Sequence, residues 1–125
     1  MKIVYIDNNE AIGGMFKQVA TQYRYVSSLT VTSGKMAVTQ LLERNNVPAV
    51  IVINDNLQGA TCKFLISFIR KQEHLQEVRL IVIANYLTPK QVRTYTNLGA
   101  QKCWHAAINV ESIRALLESL EAGAI

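Results

Sequence analysis

Two five-residue runs, Ala49-Val50-Ile51-Val52-Ile53 and Leu80-Ile81-Val82-Ile83-Ala84, carry no polar residue at all. A strand with one face in water alternates apolar and polar side chains. An uninterrupted run rich in β-branched residues belongs to a strand covered on both faces, which is the condition of a central strand in a parallel sheet. Such strands need long crossover connections, and the intervening segments read as helices. Ile12, Met15, Phe16 and Val19 recur at helical spacing after a first strand, Lys2–Ile6. Gly13 and Gly14 interrupt that helix, either delaying its start or letting another backbone approach. Ser28–Thr32 reads as a second strand. Ser33 then caps a helix through Leu41 and Leu42 that ends near Asn45-Asn46. After Pro48 and the Ala49–Ile53 strand, Asn54-Asp55-Asn56-Leu57-Gln58-Gly59 reads as a loop, and a third helix turns Leu65, Phe68 and Ile69 inward.

Thr88-Pro89 starts a fourth helix, with the hydroxyl as cap and Pro in the first turn, and Gly99 stops it. Gln101–His105 is a short fifth strand. Asn109 caps a last helix whose Val110, Ile113, Leu117 and Leu120 form one stripe. Strands alternating with helices imply a three-layer α/β/α domain spanning residues 1–125. With the apolar third and fourth strands central and right-handed crossovers, the expected sheet order is flavodoxin-like, 2-1-3-4-5. Function then falls at the C-terminal ends of the strands.

Composition removes several classes. No apolar run approaches the roughly 20 residues of a membrane span, and the N-terminus is too strand-like for a signal peptide, so a cytoplasmic protein is expected. The net charge is +4, but the basic residues are scattered, so nucleic acid is not the expected partner. One asymmetry is local. No acidic residue lies between Glu77 and Glu111, whereas Arg79, Lys90, Arg93 and Lys102 fall in that span. This is a solvated, mildly basic surface or one that meets an acidic partner. Cys62 and Cys103 form neither a CxxC nor a zinc pattern. Cys62 opens the third helix, where a helix N-terminus lowers a thiol pKa, although burial is the commoner fate of a lone cysteine.

The strand ends deliver Asp7 and Asn8, then Asn54 and Asp55, then Ala84 and Asn85, then Ala106 and Ala107. No nucleophile–histidine pair, glycine-rich phosphate loop or metal-ligand cluster stands among them. His74 and His105 have no triad partner and read as packing or surface residues. An enzyme is not expected, nor a bound cofactor or metal.

The whole chain resembles the receiver domains of bacterial two-component response regulators. Pro48-Ala49-Val50-Ile51-Val52-Ile53-Asn54 is similar to the family's Pro-Asp-Leu-Val-Leu-Leu-Asp, whose last Asp accepts a phosphoryl group. Leu57 stands where the family often has Met. The interval from Ala84 to Gly99-Ala100 matches that from the family's switch Thr/Ser to its Gly-Ala. Cys103-Trp104-His105-Ala106-Ala107 stands in place of aromatic-Leu-x-Lys-Pro. Carried over residue by residue, only Asp7 keeps the family's chemistry. The second acid is Asn8, the acceptor is Asn54, the switch hydroxyl is Ala84, the lysine is Ala106 and the switch aromatic is Cys103.

An amide oxygen is a poor nucleophile, and two of the three carboxylates that would hold Mg²⁺ are amides. The resemblance therefore implies a degenerate receiver, a pseudo-receiver that signals by binding a protein partner or a second copy of itself. The family's surface of fourth helix, fifth strand and fifth helix would carry Tyr86, Lys90, Arg93, Lys102, Cys103 and Arg114 as contacts. Two other readings stay open: a flavodoxin-like domain that binds a small ligand or nucleotide, and a working receiver that uses Asp55. Strand alternation points Asp55 away from the face of Asn54.

Overall fold

A computed structural model describes residues 1–57 and 61–125; Gln58 and Gly59 of the expected loop lie outside them. The strands are β1 (Lys2–Ile6), β2 (Ser28–Thr32), β3 (Val50–Asn54), β4 (Arg79–Ala84) and β5 (Lys102–His105). The helices are α1 (Glu10–Ala20), α2 (Gly34–Leu41), α3 (Cys62–Lys71), α4 (Pro89–Leu98) and α5 (Val110–Glu121). All strand pairings are parallel and the sheet order is β2-β1-β3-β4-β5, the flavodoxin-like arrangement expected.

The central strands are buried on both faces because alternate residues enter different cores. Val4, Ile6, Ile51, Ile53, Leu80 and Val82 join Leu41, Leu65, Ile69 and Tyr95 on the side of α2, α3 and α4. Ile3, Tyr5, Val50, Val52, Ile81 and Ile83 join Phe16, Val19, Ile113 and Leu117 on the side of α1 and α5. This period of two fixes where each residue at the strand ends points.

The helix starts follow their caps. Ser33 accepts from the Met36 amide at 3.1 Å. Thr88 and Gln91 form a reciprocal capping box with Pro89 in the first turn. Several expected boundaries shift. Asn54 ends β3 rather than opening a loop, because it continues the ladder opposite Ile83. α2 stops at Leu41, and Leu42 is exposed. Val110 is exposed at the first turn of α5, and Leu116 takes its place in the buried stripe.

The glycine pair does not delay α1, which starts at Glu10 under an Asn9 cap. The two positions differ. A Cβ on Gly13 would meet Val31 Cγ1 at 2.7 Å, so the helix sits close to a side chain of β2, not to another backbone. Gly14 has nothing within 4 Å of that position. Gly13→Ala should therefore destabilise by about 1 kcal/mol, because a β-branched neighbour yields poorly. Gly14→Ala should stabilise by about 0.5–1 kcal/mol through helix propensity. Urea midpoints of the two variants should move in opposite directions; a common direction would contradict the Val31 contact.

Candidate functional site

Tyr5 and Asp7 lie two residues apart on β1 and its continuation, so both face the α1 and α5 side, as does Asn54 from β3. All three are buried: Tyr5 is 0% exposed, Asn54 3% and Asp7 6%. The Tyr5 hydroxyl donates to Asp7 Oδ2 at 2.6 Å, and Asn54 Nδ2 donates to the same oxygen at 2.9 Å. The Asn9 amide donates to Asp7 Oδ1 at 2.8 Å. Asn54 Oδ1 accepts from the Asn56 amide at 2.9 Å, and Asn8 Oδ1 accepts from the Gly34 amide at 3.0 Å. Phe16 stacks on the Tyr5 ring at 4.4 Å between centroids and holds it in place. Burial, and then the Asp7 carboxylate, push the Tyr5 hydroxyl pKa far up, so this group remains a proton donor.

A divalent cation fits this arrangement poorly. Three protein donors occupy the carboxylate, and two of them place positive hydrogen density on Oδ2, where an ion would have to bind. The neighbours Asn8 and Asn54 are neutral. Mg²⁺ sheds water reluctantly and is held by charged oxygens, so a lone, internally bonded carboxylate is a weak offer. Among the described residues no three His, Cys, Asp or Glu side chains gather as a metal site. Asn54 is also no nucleophile at neutral pH.

Asp55 belongs to the opposite layer. Its carboxylate accepts the hydroxyl of Tyr95 from α4, and its amide bonds Ile83 O at 2.9 Å. Ala84 is buried in the same core as Tyr95, whereas Ala106 is exposed, with its amide on Ala84 O at 3.1 Å. Asn85 Oδ1 accepts from the Ile108 amide at 3.0 Å and ties the two loops together.

Of the expected contact residues, Tyr86 is 70% exposed, and Lys90, Arg93 and Lys102 are exposed around α4 and β5. Cys103 is half-buried and packs on the core. Arg114 reaches Gln22 at 3.2 Å beyond the end of α1, which sets it apart from the α4 group. β5 is an edge strand, and a groove of about 410 Å³ runs beside it, lined by Trp104, Ala106, Ser112 and Ala115.

Cys62 meets the commoner of its two expected fates, burial. It is 3% exposed, and burial, with Asp55 and Cys103 adding, pushes its pKa up to about 12. Desolvation outweighs the helix N-terminus. His74 Nε2 bonds Leu41 O at 2.7 Å, a packing role.

Tyr5 and Tyr95 were not legible as site residues. Tyr5 sits in the apolar run of β1 and reads as a core aromatic, whereas Tyr95 sits among polar neighbours, Arg93-Thr94 and Thr96-Asn97, which give no sign of a partner at the end of β3. The one available signal is that Tyr5 precedes Asp7 by two, which on a strand means the same face.

No protein-family model matches the chain, and no curated protein matches it by sequence. Solved structures do match in shape. The chemotaxis response regulator CheY4 of Vibrio cholerae superposes with a TM-score of 0.82 at 15% identity, over 95% of this chain and 97% of that one. A CheY-like receiver domain protein from Methanospirillum hungatei gives 0.81 at 17% identity, over 98% and 91%. The Mn²⁺-bound response regulator Rcp1 gives 0.81 at 15% identity, over 97% and 91%. The chain has the receiver-domain fold. Among its described residues no helix is long and apolar enough to cross a membrane.

Proposed function

We propose that this chain is a degenerate receiver of two-component signalling, a non-enzymatic cytoplasmic module that works by binding a protein partner without being phosphorylated. The observation that carries this reading is the Tyr5–Asp7–Asn54 network. Where a receiver needs anions open to a metal, this chain has one carboxylate already bonded by three internal donors. Rcp1, of the same fold, is Mn²⁺-bound; the donor set here argues against such an ion. Asp55 is no substitute acceptor, because Tyr95 bonds its carboxylate on the other face of the sheet.

The interaction surface is the exposed part of α4 with the β5 edge. Lys90, Arg93 and Lys102 are exposed there, in a stretch from residue 78 to 110 that lacks Asp and Glu. Such a field favours an acidic partner, either another signalling protein or an acidic patch on a second copy.

The test is an amide NMR titration with beryllofluoride and Mg²⁺. Resonances around Asn54 and along α4 should stay in place. Saturable, Mg²⁺-dependent shifts at Asn54 would remove the proposal. The surface is tested separately: the Arg93→Glu/Lys102→Glu variant should lose a partner that the wild-type chain retains in a pull-down.

A further inference from the structure

α4 is fastened to the rest of the fold at three heights. Its N-terminus is closed by the Thr88–Gln91 capping box. Its C-terminus is held by Arg70 of α3, whose Nε donates to Gly99 O at 3.0 Å while its Nη1 donates to Val78 O, also at 3.0 Å. Gly99 has φ of 126°, and a Cβ there would meet Arg70 Cγ at 2.5 Å, so only glycine lets the guanidinium reach this carbonyl. Between these ends stands Tyr95, 5% exposed and the one fully buried side chain of α4. Its carbonyl takes the amides of Gly99 at 3.2 Å and Ala100 at 3.0 Å. Its hydroxyl crosses to Asp55, the residue after Asn54.

Tyr95 therefore joins the end of β3 to the helix that bears Lys90 and Arg93. Its ring shares a core with Ala84, Cys62 and Leu87, and Cys103 packs against that core. Ala84 and Cys103 are small, and Tyr95 is a bulky member of the same core. The bond is charge-assisted and half-shielded from water, which strengthens it over an exposed one. Burial, and then the bond to Asp55, push the Tyr95 hydroxyl pKa well above its ordinary value, so the hydroxyl keeps its proton.

We propose that Tyr95 and Asp55 form a permanent latch that holds α4 in one position against the end of β3. The face carrying Lys90, Arg93 and Lys102 is thereby presented in a single arrangement without any chemical signal. The proposal rests on the reading of this face as the interaction surface, and it adds how that surface is kept fixed. A face that is pre-organised loses less conformational freedom on binding.

Backbone hydrogen exchange of the free chain tests the latch. Tyr95→Phe removes only the hydroxyl, and Asp55→Ala removes its acceptor from the half-exposed side. Each should speed exchange of the α4 amides from 92 to 98 at least tenfold, while α5 amides from 113 to 120 stay within twofold of wild type. The double variant should exchange no faster in α4 than the single ones, because both lose the same bond. Unchanged α4 rates in Tyr95→Phe would overturn the latch. So would equal acceleration in α4 and α5, which would mark a global stability contact. No partner is present in this measurement, so its failure would leave the surface standing. The charge-reversal variant leaves both latch residues in place, so the two ideas fall separately.

Discussion

Asp7→Ala is expected to lower the unfolding free energy by about 3 kcal/mol, which for a chain of 125 residues is a drop of about 10 °C in Tm. The loss comes from the donors left behind. The buried Tyr5 hydroxyl, Asn54 Nδ2 and the Asn9 amide all point at the missing carboxylate. Unpaired buried donors each cost about 1–3 kcal/mol, less whatever a water molecule filling the space restores. Asn9 also caps α1 through Ile12 at 3.1 Å, so the start of that helix loosens too. Asp7→Asn keeps two acceptor lone pairs and should lose about half as much. Chemical denaturation of both variants checks the ordering. An alanine variant as stable as wild type would mean that Asp7 is an idle surface acid.

Asn54→Asp is expected to do more at neutral pH than at acid pH. The introduced carboxyl would stand where Nδ2 now sits, 2.9 Å from Asp7 Oδ2. Two like charges in a buried site cannot both ionise cheaply, so the new group's folded-state pKa rises above its unfolded value near 4. The sign follows. The variant keeps most of its stability near pH 4 and loses it as pH rises through the raised pKa, ending about 3 kcal/mol below wild type at pH 7. Millimolar Mg²⁺ should then recover part of the loss in the variant and leave the wild-type Tm unchanged, because two adjacent carboxylates offer the hard, charged oxygens that one does not. Thermal scans from pH 4 to 7.5, with and without Mg²⁺, read both effects. A flat pH profile would show that residue 54 does not face Asp7.

How much was legible depended on whether the information was local. The apolar runs of β3 and β4 determine their own burial, and the caps Ser33, Thr88 and Asn109 announce helices within one turn, so element order and sheet topology followed. Residues that act across the fold were opaque. Gly13 is explained only by Val31 on a neighbouring strand. Val110 obeys the helical spacing of α5 yet stays outside the core, because the stripe is buried through Leu116 instead. For Cys62 the sequence left a helix-terminus field set against burial, and the packing around it decides for burial, whose desolvation raises the thiol pKa. The inventory at the strand ends was readable from resemblance. The bonding that occupies the surviving acid was not, since it depends on the hydroxyl of Tyr5, whose aromatic ring reads simply as core.

Asn54 and Asp55 are neighbours in sequence that serve different layers, one bonded to Tyr5 and Asp7 and the other to Tyr95. Only the pleat separates them. Shortening β3 by one residue would slide Asp55 into the register now held by Asn54 and bring a second anion beside Asp7, while Tyr95 would lose its mate. The Tyr5–Asp7–Asn54 network and the Tyr95–Asp55 bond thus share a single geometric cause. Any slip of that strand would lose both sets of bonds together.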